Sequence, residues 1–155
     1  MPEKAIRTAS GSVLAFDFGL QRIGVAVGEP ELGTSHPLPG IAARTQPGIF
    51  TAVERLVKEW RPSLLVVGRP LGEDGAPREM TRRAERFARQ LTGRFRLPVA
   101  LVDERYSSAE VESRMRAAYG SRKAANLARG KTLDSHAAHV ILEQYLANPA
   151  EAQGA

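Results

Sequence analysis

The sequence contains no cysteine, which excludes disulfide bonds and thiolate metal sites alike. Aromatic residues make up only 6% of the chain, and nothing in their spacing resembles a platform for stacking nucleobases. No apolar run is long enough to span a bilayer, and the opening Met1-Pro2-Glu3-Lys4 lacks the positive-then-apolar layout of a secretory signal. A cytoplasmic protein is therefore expected. Repeats and low-complexity tracts are missing too, apart from a tail at 148–155 that is expected to fray. At 155 residues the chain suits one domain, 1–155, with a core over about 12–146. A chain of that size buries roughly two-thirds of its unfolded surface and needs no staples.

Positive charge is present and unevenly spread. The net charge is +5, yet residues 78–96 and 105–131 each hold seven basic and two acidic side chains. Between the two blocks stands the acidic pair Asp103-Glu104. A phosphate polymer suits such a surface, because neutralising phosphates releases counterions. For either block alone a solvated arginine face is the better account; two blocks around an acidic pair bring the two readings level.

Hydrophobic patterning gives the elements. Residues 12–18 read as a buried strand, followed by a tight turn at Gly19-Leu20-Gln21. Ile23, Val25 and Val27 alternate with Gly24, Ala26 and Gly28, the pattern of a strand with one very close-packed face. A third strand over 35–41 contains Pro37 and Pro39, which restricts it to a sheet edge. Ile49, Val53, Leu56 and Trp60 follow helical spacing, and Pro62 ends that helix. Leu64-Leu65-Val66-Val67 is apolar on both faces, as a central parallel strand requires. Met80, Ala84, Phe87, Leu91 and Phe95 form the next helical stripe and leave Arg82, Arg86 and Arg89 outside. A strand over 99–103 follows. Ser107 and Glu110 then fit a capping box opening a short helix, residues 120–131 form a basic loop or partial helix, and a last helix runs from about 133 to 146. The order implies an α/β fold with a five-stranded mixed sheet, an antiparallel meander joined to parallel strands, flanked by helices.

Three acids end or open apolar segments where folding has no need of them. Asp17 closes Val13–Phe16, Glu104 closes Val99–Val102, and Asp134 opens the final helix. A carboxylate beside a buried face costs free energy unless it is paired or holds a metal. If the fold gathers them, they offer hard oxygen ligands to Mg²⁺ or Mn²⁺. Parallel first, fourth and fifth strands would put Asp17 and Glu104 at the same edge, outside the carboxyl ends, where open α/β sheets bind ligands. Glu104 also reads as an ordinary strand-end charge, and Asp134 as an acid favoured by the helix dipole; Asp17 is the hardest to explain without a ligand. His136 and His139 invite a general-base role, but their spacing of three is not that of a helical zinc pair, and packed or solvated imidazoles explain them better.

The stretches Val13-Leu14-Ala15-Phe16-Asp17-Phe18-Gly19 with Arg22–Val27, Gly68-Arg69-Pro70-Leu71 with Gly75, Leu101-Val102-Asp103-Glu104-Arg105-Tyr106-Ser107-Ser108, and Lys131 to Glu143 resemble the motifs of the YqgF/RuvX family. The resemblance covers roughly residues 12–146. Ser108 replaces a customary Thr and Arg69 an apolar residue. The resemblance implies an RNase H-like fold and a metal-dependent endonuclease, described either for the 5′ end of pre-16S ribosomal RNA or for four-way DNA junctions. Carried over by motif, Asp17, Glu104 and Asp134 become the catalytic acids, holding one or two Mg²⁺ or Mn²⁺ ions. Arg105 and Lys131 become the cations nearest the scissile phosphate, Arg105 having Asp103 or Asp134 as alternative partners. Outside that carry-over, the basic blocks offer Arg82, Arg86, Arg89, Arg122 and Lys123 as expected sequence-blind backbone contacts, and Arg69 would add a phosphate contact. No residue chooses between RNA and DNA; the family description favours pre-rRNA, with branched DNA as the alternative, and junction cutting would call for a homodimer.

Two other classes compete. An actin- or sugar-kinase-like ATPase also opens with an apolar-Asp-x-Gly hairpin, but it needs two such domains, and Leu20-Gln21 replaces the small hydroxyl residues expected there. A non-catalytic nucleic-acid module would keep the fold and the basic surface without turnover.

Overall fold

The computed structural model describes residues 11–105, 109, 111–117 and 133–155, the side chains at 133 and 134 excepted. Its sheet is built from β1 (Val13–Asp17), β2 (Arg22–Glu29), β3 (Thr34–Ala42), β4 (Leu64–Arg69), β5 (Val99–Asp103) and β6 (Gln153–Gly154). The strands lie in the order β3-β2-β1-β4-β5-β6. β1 and β2 are antiparallel, as are β2 and β3, whereas β1, β4 and β5 run parallel. The prolines of β3 are accommodated because that strand is an edge.

The sheet has six strands and not the expected five. The sixth comes from the segment expected to fray: a 3₁₀ turn at Pro149–Glu151 returns the chain, and Ala100 and Leu101 of β5 pair with Gly154 and Gln153. Ala155 N donates to Val99 O at 2.9 Å. The pairing covers the otherwise open edge of β5, which answers the physical demand that sheet edges be protected.

Helices cover both faces. α1 (Gln46–Trp60) and α2 (Glu79–Phe95) pack on one face through Ile49, Phe50, Val53, Ala84, Phe87 and Leu91, against Leu14, Phe16, Val25 and Val67. Thr45 caps α1 by accepting from Gly48 N at 3.1 Å, and Arg61, directly before Pro62, closes it at φ 46°. The opposite face carries α4 (Leu133–Ala147), whose Ala138, Ile141, Leu142 and Tyr145 meet Val13, Ala15, Ala26, Val66 and Val102. The close-packed face read in β2 is the one α4 uses: a Cβ at Gly28 would stand 3.0 Å from Leu142 Cδ2. α3 (residues 111–117) adds Val111 and Met115 against Val140. The capping box at Ser107 and Glu110 and the basic stretch 120–131 lie outside the described residues. No helix among the described residues is long and apolar enough to cross a membrane.

Candidate active site at the carboxyl edge of the sheet

Strand alternation decides which side chains can meet. Val13 and Ala15 of β1, Leu64 and Val66 of β4, and Ala100 and Val102 of β5 all face α4. Continuing each series by two residues puts Asp17, Gly68 and Glu104 on that same face, at the carboxyl ends of three adjacent parallel strands. Glu104 is fixed there by its own amide, which donates to Arg69 O at 3.3 Å.

Gly68 makes the meeting possible. A Cβ at that position would stand 2.7 Å from Glu104 Oε2 and collide with Ile141 Cδ1. The carboxylate of Glu104 therefore lies over the bare α-carbon of the middle strand, reaching toward Asp17. Burial, then the negative charges of Asp17 and Asp103, push the Glu104 carboxyl up to about 7. Among the described residues, the charges that raise it are of its own sign, the situation a bound cation would relieve. An all-oxygen, anionic donor set fits a hard divalent ion.

Asp134, the third acid, belongs to the first turn of α4, but its side chain is outside the described residues. Among the described residues no three His, Cys, Asp or Glu groups converge as metal ligands. The start of α4 is nevertheless well placed. Ser135 Oγ donates to Leu38 O and accepts from Val25 N at 3.4 Å. Val25 pairs with Phe16, and the adjacent Gly24 pairs with Asp17. Helix α4 thus begins at the Asp17 end of the sheet.

The cationic candidates divide into three groups. Arg105 is clamped on Asp103: Nη2 donates to Oδ2 at 2.8 Å, Nε to both carboxylate oxygens, and the backbone N to Oδ1 at 2.9 Å. That hydrogen-bonded guanidinium holds the Asp103 carboxyl below its ordinary value. Arg69 donates from Nε to Glu85 Oε2 at 2.7 Å, toward α2. Arg82, Arg86 and Arg89 are exposed along α2. Lys131, Arg122 and Lys123 fall outside the described residues.

Sequence reasoning missed the polar network that seats α4. Ser35 of β3 donates to Glu143 Oε2 and stands 2.7 Å from His139 Nε2, while Arg114 of α3 donates to Glu143 Oε1. Burial pulls His139 down to about 4, so the ring is neutral. Burial alone would raise Glu143, but the hydrogen bonds from Arg114 and Ser35 outweigh it and hold the carboxyl below its usual range. The available signal was Glu143 itself, an acid inside the run Ile141-Leu142-Glu143. His139 is engaged with β3 in this network, and burial also lowers His136.

Comparison with known proteins follows the same lines. A family model described as "RuvX: Holliday junction resolvase" matches residues 11–148. A protein of Paraburkholderia phytofirmans named "Putative pre-16S rRNA nuclease" is 49% identical over 135 residues, covering 87% of each chain. One of the same name from Dechloromonas aromatica is 46% identical over 139 residues, covering 90% of this chain and 92% of the relative. Among solved structures, Thermus thermophilus RuvC bound to a Holliday junction superposes with a TM-score of 0.52 at 15% identity, over 94% of this chain and 99% of that one. The fowlpox virus Holliday junction resolvase gives 0.52 at 12% identity, over 88% and 97%. At such identities the likeness is one of fold, the RNase H-like fold of the RuvC resolvases.

Proposed function

Because this chain belongs to the RuvX family, a nuclease family by the names of its relatives, we propose that it is a divalent-metal-dependent endonuclease that hydrolyses phosphodiester bonds of structured nucleic acid, with the 5′ end of pre-16S rRNA as its target. The observation that carries the reading is Glu104 held over Gly68 beside Asp17, two like charges on one sheet edge. The substrate assignment rests on the relatives' names.

Asp17, Glu104 and Asp134 would hold the ion or ions. Bound Mg²⁺ or Mn²⁺ would supply an activated water and stabilise the leaving oxygen. The protein's own part is positioning. Strands β1 and β5 fix Asp17 and Glu104 on rigid backbone, Gly68 leaves room between them, and the Ser135 bonds anchor the turn that carries Asp134. Arg105 and Lys131 would stand beside the scissile phosphate, Arg105 oriented through Asp103. Arg82, Arg86 and Arg89, with Arg69, Arg122 and Lys123, would grip the backbone without reading sequence.

A second reading, cleavage of branched DNA, is favoured by the family description and the resolvase fold. Symmetric cutting of a junction needs two active sites and hence a homodimer. One panel separates the readings: a pre-rRNA leader and a four-way DNA junction, each with Mg²⁺, Mn²⁺ or EDTA, for wild type and Asp17→Asn. The expected result is metal-dependent cleavage of the leader that Asp17→Asn abolishes while binding persists. A wild type that binds both substrates and cuts neither leaves a non-catalytic binding module.

A further inference from the structure

Phe18, Gly19 and Leu20 follow Asp17 directly and form the turn into β2. Below that turn, on the α1/α2 face, lies a cleft of about 140 Å³. Phe87 and Phe50 form its floor, 2% and 5% exposed. The half-buried Phe18 forms a wall, its ring 5.1 Å from that of Phe87 and inclined by 36°. Phe50 stacks on Phe87 at 6.1 Å and 30°. Beside the exposed Leu20, the lining carries polar and cationic side chains: Gln46 from α1, and Arg83, which also pairs with Glu79 at 3.9 Å, Arg86 and Gln90 from α2. No acidic side chain is among the described residues that line it. Three phenylalanines far apart in the sequence, Phe18, Phe50 and Phe87, meet at this one place.

These features match the chemistry of one nucleotide. A base offers flat faces for aromatic rings, edges that need both donors and acceptors, and a phosphate that needs a cation. An amide side chain supplies donor and acceptor together. We infer that this cleft receives one unstacked nucleobase of the substrate strand, next to the phosphodiester held at Asp17 and Glu104; the inference rests on the nuclease reading above. Asp17 continues the β1 series that faces α4, whereas Phe18, the next residue, packs against the α1/α2 cluster, and their α-carbons are about 3.8 Å apart. A strand crossing the carboxyl edge of the sheet therefore presents its phosphate to Asp17 on one side and turns a base over Phe18 on the other. Arg82 and Arg89, exposed on α2, continue the track beyond the rim. Substrates with an unpaired nucleotide at the cut are favoured over continuous duplex, because the cost of unstacking is already met.

The test uses the full chain carrying Asp17→Asn, so that the signal does not depend on turnover. 2-Aminopurine is placed at each position in turn of the single-stranded 5′ overhang of an RNA hairpin. One position should change fluorescence on binding, and making that position abasic should weaken binding roughly tenfold. Adding Phe18→Leu or Gln90→Ala should weaken binding of intact RNA by a similar factor and leave binding of the abasic RNA unchanged, with thermal melts reporting that each variant is folded. A uniform fluorescence response, no binding at all, or equal weakening of intact and abasic RNA would overturn the inference. If wild type cuts no substrate while the single-position response persists, base capture stands and the nuclease reading falls.

Discussion

Glu104 carries an energetic cost that its function would explain. Its folded carboxyl sits at about 7 against the ordinary 4.5, so the folded state favours the protonated form. The stability this gives is complete below pH 4.5 and is lost as the pH rises through 7. In EDTA, Glu104→Gln should therefore be more stable than wild type above pH 7, by up to about 3 kcal/mol. The gap should close towards pH 4.5, as urea unfolding across that range will report. Mg²⁺ or Mn²⁺ should stabilise wild type and do much less for the variant; a gap that ignores both pH and metal would contradict the crowding of charge. Gly68 tests the same geometry from the other side. A methyl group there meets Ile141 Cδ1 and Glu104 Oε2, so Gly68→Ala should cost about 1–3 kcal/mol through overpacking. It should also depress cleavage at temperatures where the variant is fully folded, because Glu104 is displaced. Normal stability and normal turnover in Gly68→Ala would mean that the carboxylate does not rest on that strand.

The elements hold the site in register, and α4 is the one with the most to lose. Its seat on β3 and α3 is the network of Ser35, His139, Glu143 and Arg114. Glu143→Ala removes the acceptor shared by Ser35 and Arg114, and denaturation at neutral pH should show a loss of about 1–3 kcal/mol. The network also has a pH signature. His139 lies at about 4 instead of 6.5, and Glu143 lies below its ordinary 4.5. Both depressed groups contribute stability that is present above their unfolded values and lost in acid, first through His139 between about 6.5 and 4. Much of this arrangement was legible in the sequence. The Gly-Ala-Gly face of β2 foretold a close neighbour, the prolines placed β3 at an edge, and the parallel β1, β4 and β5 put Asp17 and Glu104 at one end. What was not legible depends on partners distant in the chain. Glu143 is satisfied by Ser35 and Arg114, 108 and 29 residues away, and no local pattern announces such a pairing. β6 is two residues long and pairs with the edge that β5 offers.

At the scale of the whole molecule, the +5 net charge matters less than where it sits. Residues 78–96 place a row of guanidinium groups on α2, and Arg82, Arg86 and Arg89 are exposed there. Arg83 and Arg86 edge the aromatic cleft below the turn after Asp17. Arg69 and Arg105 are already engaged by Glu85 and Asp103, and Arg83 pairs with Glu79 at 3.9 Å, so these three contribute position more than free charge. Among the candidate phosphate contacts within the described residues, the long-range pull on a phosphate backbone therefore falls chiefly to α2. Each phosphate neutralised releases counterions, about 0.7 unit of log-log salt slope for single strands and about 0.9 for duplex DNA. Replacing Arg82, Arg86 and Arg89 by Ala should flatten the salt dependence by about 2 units on a single-stranded ligand if all three touch phosphate. Affinity should fall by a similar factor on unrelated sequences, because backbone contacts carry no sequence information. Fluorescence anisotropy titrations at several salt concentrations measure both quantities. An unchanged slope would place the nucleic acid on another face and separate α2 from the cleavage edge.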